Sequence, residues 1–294
     1  MIHVMSYFTD EDEALHLALS RDGRRFIAIN DGRPVLRGTV GTGRLRDPFI
    51  GVGPGGVFHL LATDGWTSPC IVHATSADLR TWSRQTLVPV MADVPGAHNA
   101  WAPEFFFDPV GGQYHLIWSS VVDPEISVEG RDWQNVGQDH RIWHRTTRDF
   151  VGYSRAAIFF DPGYSVIDAT VTHGDGHFMM AFKDERGIND PSTSHKHILV
   201  TTFARPGAAF GELTGPVSPA AVEGPTFFRR GGEWILLFDH YLEGRYGAAS
   251  STDGIEWRSA EVSLPTGMRH ASVLTVSEEM LPREFVPLLD GADL

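Results

Sequence analysis

Four times along the chain an acidic residue is followed, eight or nine positions later, by the glycine of a turn that opens an apolar, aromatic-rich stretch. Asp47 precedes Gly56 in RDPFIGVGPGGVFHLLAT, and Glu104 precedes Gly112 in WAPEFFFDPVGGQYHLIWSS. Asp168 precedes Gly176 in VIDATVTHGDGHFMMAFK, and Glu223 precedes Gly232 in VEGPTFFRRGGEWILLFD. The four glycines lie 56, 64 and 56 residues apart, so one structural unit recurs, and each copy carries a carboxylate at a matching place. Such self-similarity marks an array of like units packed side by side.

Within one copy, Gly111 and Gly112 can take the positive φ that a tight hairpin demands, and Tyr114, Leu116 and Trp118 alternate with His115, Ile117 and Ser119 as in a strand. A second signature, in which Ser, Thr and Asp lead into an aromatic, occurs as SRDGRRF (20–26), TSADLRTW (75–82), RTTRDF (145–150) and SSTDGIEW (250–257). Its Asp and Gly residues are turn formers that join outer strands. Each unit therefore supplies about four strands, the content of one propeller blade.

Residues 46–82, 101–150, 166 to about 210 and 222–257 make four such units. The remnants are MRHASVLTVSEEM near the C-terminus, which reads as an innermost strand, and HVMSYFTDEDEALHLALSRDGRRFIAIN at the start, which reads as the rest of the same unit. The expectation is an all-β fold: a five-bladed β-propeller whose fifth blade is closed by N- and C-terminal strands, with no exposed edge at the seam. No Ser/Gly-rich or Pro-rich linker divides the 294 residues, so residues 1–294 read as a single domain, and 42% hydrophobic content is enough for a sizeable core.

A net charge of −13 and the lack of a basic stripe argue against a nucleic acid as partner. The start MIHVMSYFTDEDE has no basic segment leading into an apolar one, and no run of about 18 apolar residues occurs, so neither secretion nor membrane insertion is expected. Cys70 is the only cysteine; a cytoplasmic location fits, although a chain whose signal peptide had been removed would read the same way. Oligomeric state is not readable.

Innermost strands of a propeller converge on its axis, so Asp47, Glu104, Asp168, Glu223 and the fifth-blade residue His270 are expected to ring one funnel. Several carboxylates facing one another in a partly dry pocket are costly unless function requires them. The alternative is that they bind backbone N–H groups or a central cation.

The ordered set RDPFI, WAPE, VIDA, EGP and RHAS, interleaved with TSADLRTW, resembles glycoside hydrolase family 43 over roughly residues 44–276. The resemblance implies a five-bladed hydrolase that acts on arabinose-, xylose- or galactose-containing glycans and inverts the anomeric centre with three acids. By motif, Asp47 takes the place of the general base, Asp168 that of the acid that orients the proton donor and tunes its pKa, and Glu223 that of the general acid. Trp101 takes that of an apolar wall of the sugar pocket, although a Trp packed between blades would read the same way; Glu104 either accepts a sugar hydroxyl or holds a neighbouring strand. Arg269 and Arg46 join the substrate-binding candidates. His270 takes the place of an axial histidine that is, in some members, near calcium or sodium, so a structural calcium ion bound through water is the one metal expectation and no cofactor is required. Ala271 stands where the family usually has Gly.

The chemistry independently requires a protonated carboxyl at the leaving oxygen and an ionised one opposite, about 6.5–9.5 Å apart in an inverting enzyme. Glu223 is accordingly expected to be held protonated by burial and by the neighbouring Asp168. His240, beyond the strand that follows Glu223, is a further candidate for sugar hydroxyls; His98, His173, His195 and His197 have weaker claims. HKH at 195–197 lacks the spacing of a zinc site. Segments 121–141, 184–197 and the tail after about 279 read as insertions, the first two placed to shape specificity.

The fructan-cleaving family 32 also carries Arg-Asp-Pro, but its Asn-Asp-Pro nucleophile motif and Glu-Cys acid motif are missing, and Gly224 follows Glu223. Mannoside phosphorylases would need a basic phosphate site that is not found. A non-catalytic, lectin-like propeller is the rival from another class. The expected partner is a short oligosaccharide, cleaved in exo fashion by an α-L-arabinofuranosidase, with xylosidase and galactosidase close behind.

Overall fold

The computed structural model describes residues 1–122, 139–174, 176–187 and 195–290. The chain opens with β1 (Ile2–Thr9), β2 (His16–Ser20) and β3 (Ile27–Ala28), followed by β4 (Arg46–Val52), β5 (Phe58–Thr63), β6 (Ile71–Ser76) and β7 (Thr86–Val88). Next come β8 (Trp101–Asp108), β9 (Gln113–Ser120), β10 (Arg141–Thr147) and β11 (Ala157–Phe160), then β12 (Val166–Gly174), β13 (His177–Asp184) and β14 (Ile198–Phe203). The last group is β15 (Glu223–Arg230), β16 (Glu233–His240), β17 (Arg245–Ser251), β18 (Arg258–Ala260) and β19 (Met268–Val276).

Each group is one antiparallel sheet, except that β19 leaves its neighbours and pairs with β1, giving a sheet ordered β19-β1-β2-β3. The inner strands β4, β8, β12, β15 and β19 each touch the next, and β19 touches β4, which closes a ring of five blades. The fold is a five-bladed β-propeller with its seam inside the blade shared by the two termini. Among the described residues no helix is long and apolar enough to cross a membrane.

Local chemistry explains the blades. Gly56, Gly112 and Gly176 take φ of 78°, 60° and 83° at the hairpins between inner and second strands; in the fourth hairpin Gly231, at 60°, does this rather than Gly232. In four blades a Ser or Thr hydroxyl (Ser20, Ser76, Thr147, Ser251) donates to the Asp two residues on. That Asp accepts two backbone N–H groups and so shapes the turn before the aromatic. The apolar cores lie between blades: Leu17, Leu19, Phe58 and Leu60 fill one gap, and Phe106, Phe178 and Phe182 another. Second strands are therefore buried on both faces, and HFMMAFK reads as a continuous apolar run.

Four strands per unit are not reached in the sheet β12-β13-β14. The chain after β14 still bonds to it, through the N–H groups of Gly211, Thr214 and Val217 to the carbonyls of Thr202, Val200 and Ile198 at 2.7, 2.9 and 3.0 Å. It advances three residues for every two of β14, so no regular ladder forms.

All five inner strands share one bulge. Pairing slips between Arg46 and Phe49, Trp101 and Glu104, Ile167 and Thr170, and Glu223 and Thr226, and in β19 between Arg269 and Ser272. The residue after the first of each pair is left-handed: Asp47 (47°), Ala102 (47°), Asp168 (56°), Gly224 (55°) and His270 (36°). This corrects the register of the acids, since Glu104 lies two residues after the recurring position and Glu223 one residue before it. Counting from the turn glycine misplaces them because hairpin loops differ, with five residues between Val52 and Phe58 but two between Arg230 and Glu233.

In the fourth blade the left-handed position is glycine, and a Cβ on Gly224 would lie 3.0 Å from His270 Cγ, close enough that the imidazole would have to shift. Gly224→Ala is expected to cost at least about 1–2 kcal/mol of stability from the left-handed backbone alone. Urea denaturation measures it, and an unchanged midpoint would show that the backbone at 224 adapts.

Candidate active site

Opposite the bulges, the second strands place Thr63, Ser119, Lys183, Asp239 and Phe8. Where that side chain can accept, it takes the N–H of the next blade's left-handed residue. Ala102 N–H donates to Thr63 Oγ1 (2.8 Å), Asp168 N–H to Ser119 Oγ (2.9 Å) and His270 N–H to Asp239 Oδ2 (3.3 Å). Lys183 has no acceptor, and the N–H of Gly224 turns instead to Asp168 Oδ2 at 3.2 Å.

Asp47, Asp168 and Glu223 all line one cavity of about 450 Å³, together with Arg46, Trp101, Arg269 and His270. Thr63 Oγ1 donates to Asp47 Oδ2 at 2.7 Å, and His270 Nδ1 lies 3.3 Å from Asp47 Oδ1 and 4.0 Å from Asp168 Oδ2. Burial alone would lower the His270 pKa, but Asp47, Asp168, Glu223 and Glu104 outweigh it and raise it, so the imidazolium is favoured. Burial pushes Asp168 up to about 6, with Glu223 and Asp47 adding to the rise and His270 and Lys183 opposing it.

Glu223 departs from expectation. Burial would raise its pKa, yet Lys183, Arg269 and His270 together hold it below the ordinary carboxylate value. Lys183 Nζ donates to Glu223 Oε2 at 3.1 Å and Arg269 to Oε1 at 3.2 Å. Glu223 is therefore held towards its ionised form, and the carboxyl pushed towards protonation is Asp168. Arg269 is also committed elsewhere, through Nε to Asp239 (2.8 Å) and through its other terminal nitrogen to Asp10 (2.7 Å).

The aromatic wall is a pair. Trp101 Nε1–H donates to the Trp66 carbonyl at 2.9 Å, and the two indoles meet edge-on with centroids 5.6 Å apart. Arg46 lies over Trp66 at 4.5 Å and over Phe8 at 4.7 Å, pinned by Glu13 at 2.6 Å.

Two candidates lie elsewhere. Glu104 is buried behind the cavity, where it bonds the Thr170 side chain and the Val171 backbone, and burial pushes its pKa to about 8; it braces β8 against β12. His240 lines a separate hollow of about 710 Å³, its ring 5.6 Å from Phe238 and its Nδ1 3.7 Å from Glu243. Successive residues of a strand face opposite sides, so the inward position belongs to Asp239, which is fully buried against Arg269. His98, His173, His195 and His197 do not line the cavity.

No group of three or more His, Cys, Asp or Glu among the described residues is arranged to hold a metal. His270 Nδ1 faces carboxylates, so an imidazolium supplies the positive charge a cation would, and these residues do not fit a directly bound calcium ion. Of the insertions, 123–138 and 188–194 lie outside the described residues, as do 291–294. Sequence reasoning missed Thr63, Trp66, Lys183, Glu185, Tyr241 and Asp10, all on the cavity wall. A lysine closing the apolar run MMAFK was the legible signal among them.

Residues 1–281 match the family described as "Probable glycosyl hydrolase domain", related to family 43. Over 212 residues the chain is 29% identical to an α-L-arabinofuranosidase of Bifidobacterium longum subsp. longum, covering 62% of this chain and 20% of that protein. The chain thus spans about a fifth of the length of the curated relative it matches. In structure it resembles a thermostable family-43 glycoside hydrolase (TM-score 0.61, 16% identity, 80% of each chain) and an α-L-arabinofuranosidase from Lactobacillus brevis (0.59, 17%, 80% of each). It also resembles a xylan β-1,4-xylosidase from Bacillus halodurans C-125 (0.57, 19%, 78% of this chain and 43% of that one). These structural likenesses are of fold, whereas the family match runs through all five blades: the chain belongs to the family-43-related glycosyl hydrolases.

Proposed function

We propose that the protein is an inverting, exo-acting glycoside hydrolase for short arabinose-, xylose- or galactose-containing oligosaccharides, with terminal α-L-arabinofuranosides the first choice. The observation that carries this is that Asp47, Asp168 and Glu223 line one cavity beside the Trp66–Trp101 wall. Arabinose comes first because the B. longum relative is an arabinofuranosidase by name.

In this reading a water held by Asp47 attacks the anomeric carbon and gives its proton to that carboxylate, whose other oxygen is fixed by Thr63. The bond to the leaving oxygen breaks as Glu223 gives that oxygen a proton, and the new C–OH bond forms on the opposite face. A sugar filling the cavity displaces water from Glu223, and the added desolvation favours its neutral form, opposing Lys183 and Arg269. Asp168, which accepts a hydrogen bond from the Gly224 N–H, holds the strand that carries the acid.

A panel of 4-nitrophenyl α-L-arabinofuranoside, β-D-xyloside and galactosides tests the reading, with NMR following the anomer first released. The expected result is turnover with inverted configuration, fastest on the arabinofuranoside. Retention would overturn the mechanism, and full sugar binding without turnover would favour a lectin.

A further inference from the structure

Lys183 breaks the rule of its position. The equivalent residues Thr63, Ser119 and Asp239 accept a backbone N–H from the next blade, whereas Lys183 is a cation with a side chain only 3% exposed. A buried ammonium is costly unless paired. Its partners are two carboxylates, Glu223 Oε2 at 3.1 Å and Glu185 Oε2 at 2.9 Å, and the face of Tyr241 at 4.6 Å. Lys196 binds the other oxygen of Glu185.

Resting on the assignment of Glu223 as the acid, we propose that Lys183 and Glu185 are positioning residues for it: one ammonium bridges both carboxylates, aims Glu223 at the cavity, and keeps a second counter-ion when Glu223 carries a proton. Without Glu185, proton uptake by Glu223 would leave Lys183 buried beside a neutral carboxyl. With it, Lys183 stays paired in both states of the acid, and Lys196 keeps Glu185 ionised.

The directions of titration agree with this geometry. Burial would raise the pKa of Glu185, but Lys183 and Lys196 lower it, and Lys183 is the largest of the influences that lower Glu223. The other charged or titratable groups around Glu223 are Asp168 on β12, Asp239 on β16, Arg269 and His270 on β19, and Tyr241, Tyr246 and Lys196. All are retained in the variants below, so a change in midpoint reports on Lys183 or Glu185.

The experiment compares the whole chain with K183M, K183R and E185Q. The first readout is a carboxyl ¹³C NMR titration of Glu223, its signal identified by its loss in E223Q. K183M is expected to move the midpoint up and E185Q to move it down, with K183R close to the unsubstituted protein. This needs no turnover, so it can fail separately from the glycosidase reading. The second readout is the pH profile of kcat on whichever 4-nitrophenyl glycoside is hydrolysed fastest. Its alkaline limb should move the same two ways, and K183M should lose about 10- to 100-fold in kcat, less than the roughly 10²- to 10⁴-fold that the acid itself contributes, with KM changed only a few-fold.

Midpoints that move in the same direction, or not at all, overturn the proposal, as does a K183M limb that does not move while E223Q is inactive. If K183M fails to fold, a midpoint lowered in E185Q and unmoved in K183R carries the test, and an E185Q midpoint that stays or rises overturns the proposal. Opposed midpoints with no glycoside hydrolysed would support the bridge and count against the hydrolase.

Discussion

Asp47→Asn is expected to lower kcat by about 10²- to 10⁴-fold on any glycoside the protein hydrolyses, while the released sugar still binds. The amide keeps the shape of the carboxylate and can still accept the Thr63 hydroxyl, so the wall beside His270 stays in place. It cannot take a proton from attacking water. Glu223→Gln should lose as much on a phenyl glycoside but recover most of it on a dinitrophenyl glycoside, whose leaving group needs no proton; Asp47→Asn should lose equally on both. Steady-state kinetics with calorimetric sugar binding separates these outcomes. Activity within a few-fold of the unsubstituted protein in either variant would remove that residue from its role.

The other large effect is structural. Deleting residues 1–30 removes β1, β2 and β3, and β19 then has no partner in its sheet. Met5, Tyr7, Leu17 and Leu19, all buried between blades, go with them, opening two of the five cores. Glu13 and Asp10, which pair with Arg46 and Arg269 at the cavity, are lost too. The open ring uncovers the apolar faces of two blades and leaves β19 with unpaired edges, so the truncated chain is expected to aggregate and to show no cooperative unfolding. A soluble truncation with one sharp calorimetric transition would refute the view that the terminal blade closes the fold.

How far the sequence could be read depended on how local each feature is. The Ser/Thr–Asp turns are made within a few residues, and the chain displays them openly: Ser76 to Asp78 and Asp78 to Thr81 form one motif. The same holds for the positive φ of Gly112 and for strand alternation around Trp118. His240 and Glu104 show where such reading stops: His240 follows the inward Asp239 by one residue and so faces the other side of β16, and the side Glu104 takes follows from a bulge that slips the pairing by one residue. Nothing in VEGPT announces that Gly224, and not Glu223, holds the left-handed position shared with Asp47 and Asp168.

By itself the sequence determined the repeat, the number of blades, the seam between the termini and three of the four acids it placed at one site. These rest on short-range turn chemistry and on a period that persists along the chain. Only the tertiary structure decided the charge state of those acids. Glu223 lies 40 residues from Lys183 and 46 from Arg269, and its neighbour Gly224 lies 56 from Asp168, so the groups that decide its proton meet only when the ring closes. In a buried pocket those contacts outweigh the residue's intrinsic tendency, which is all that the sequence carries.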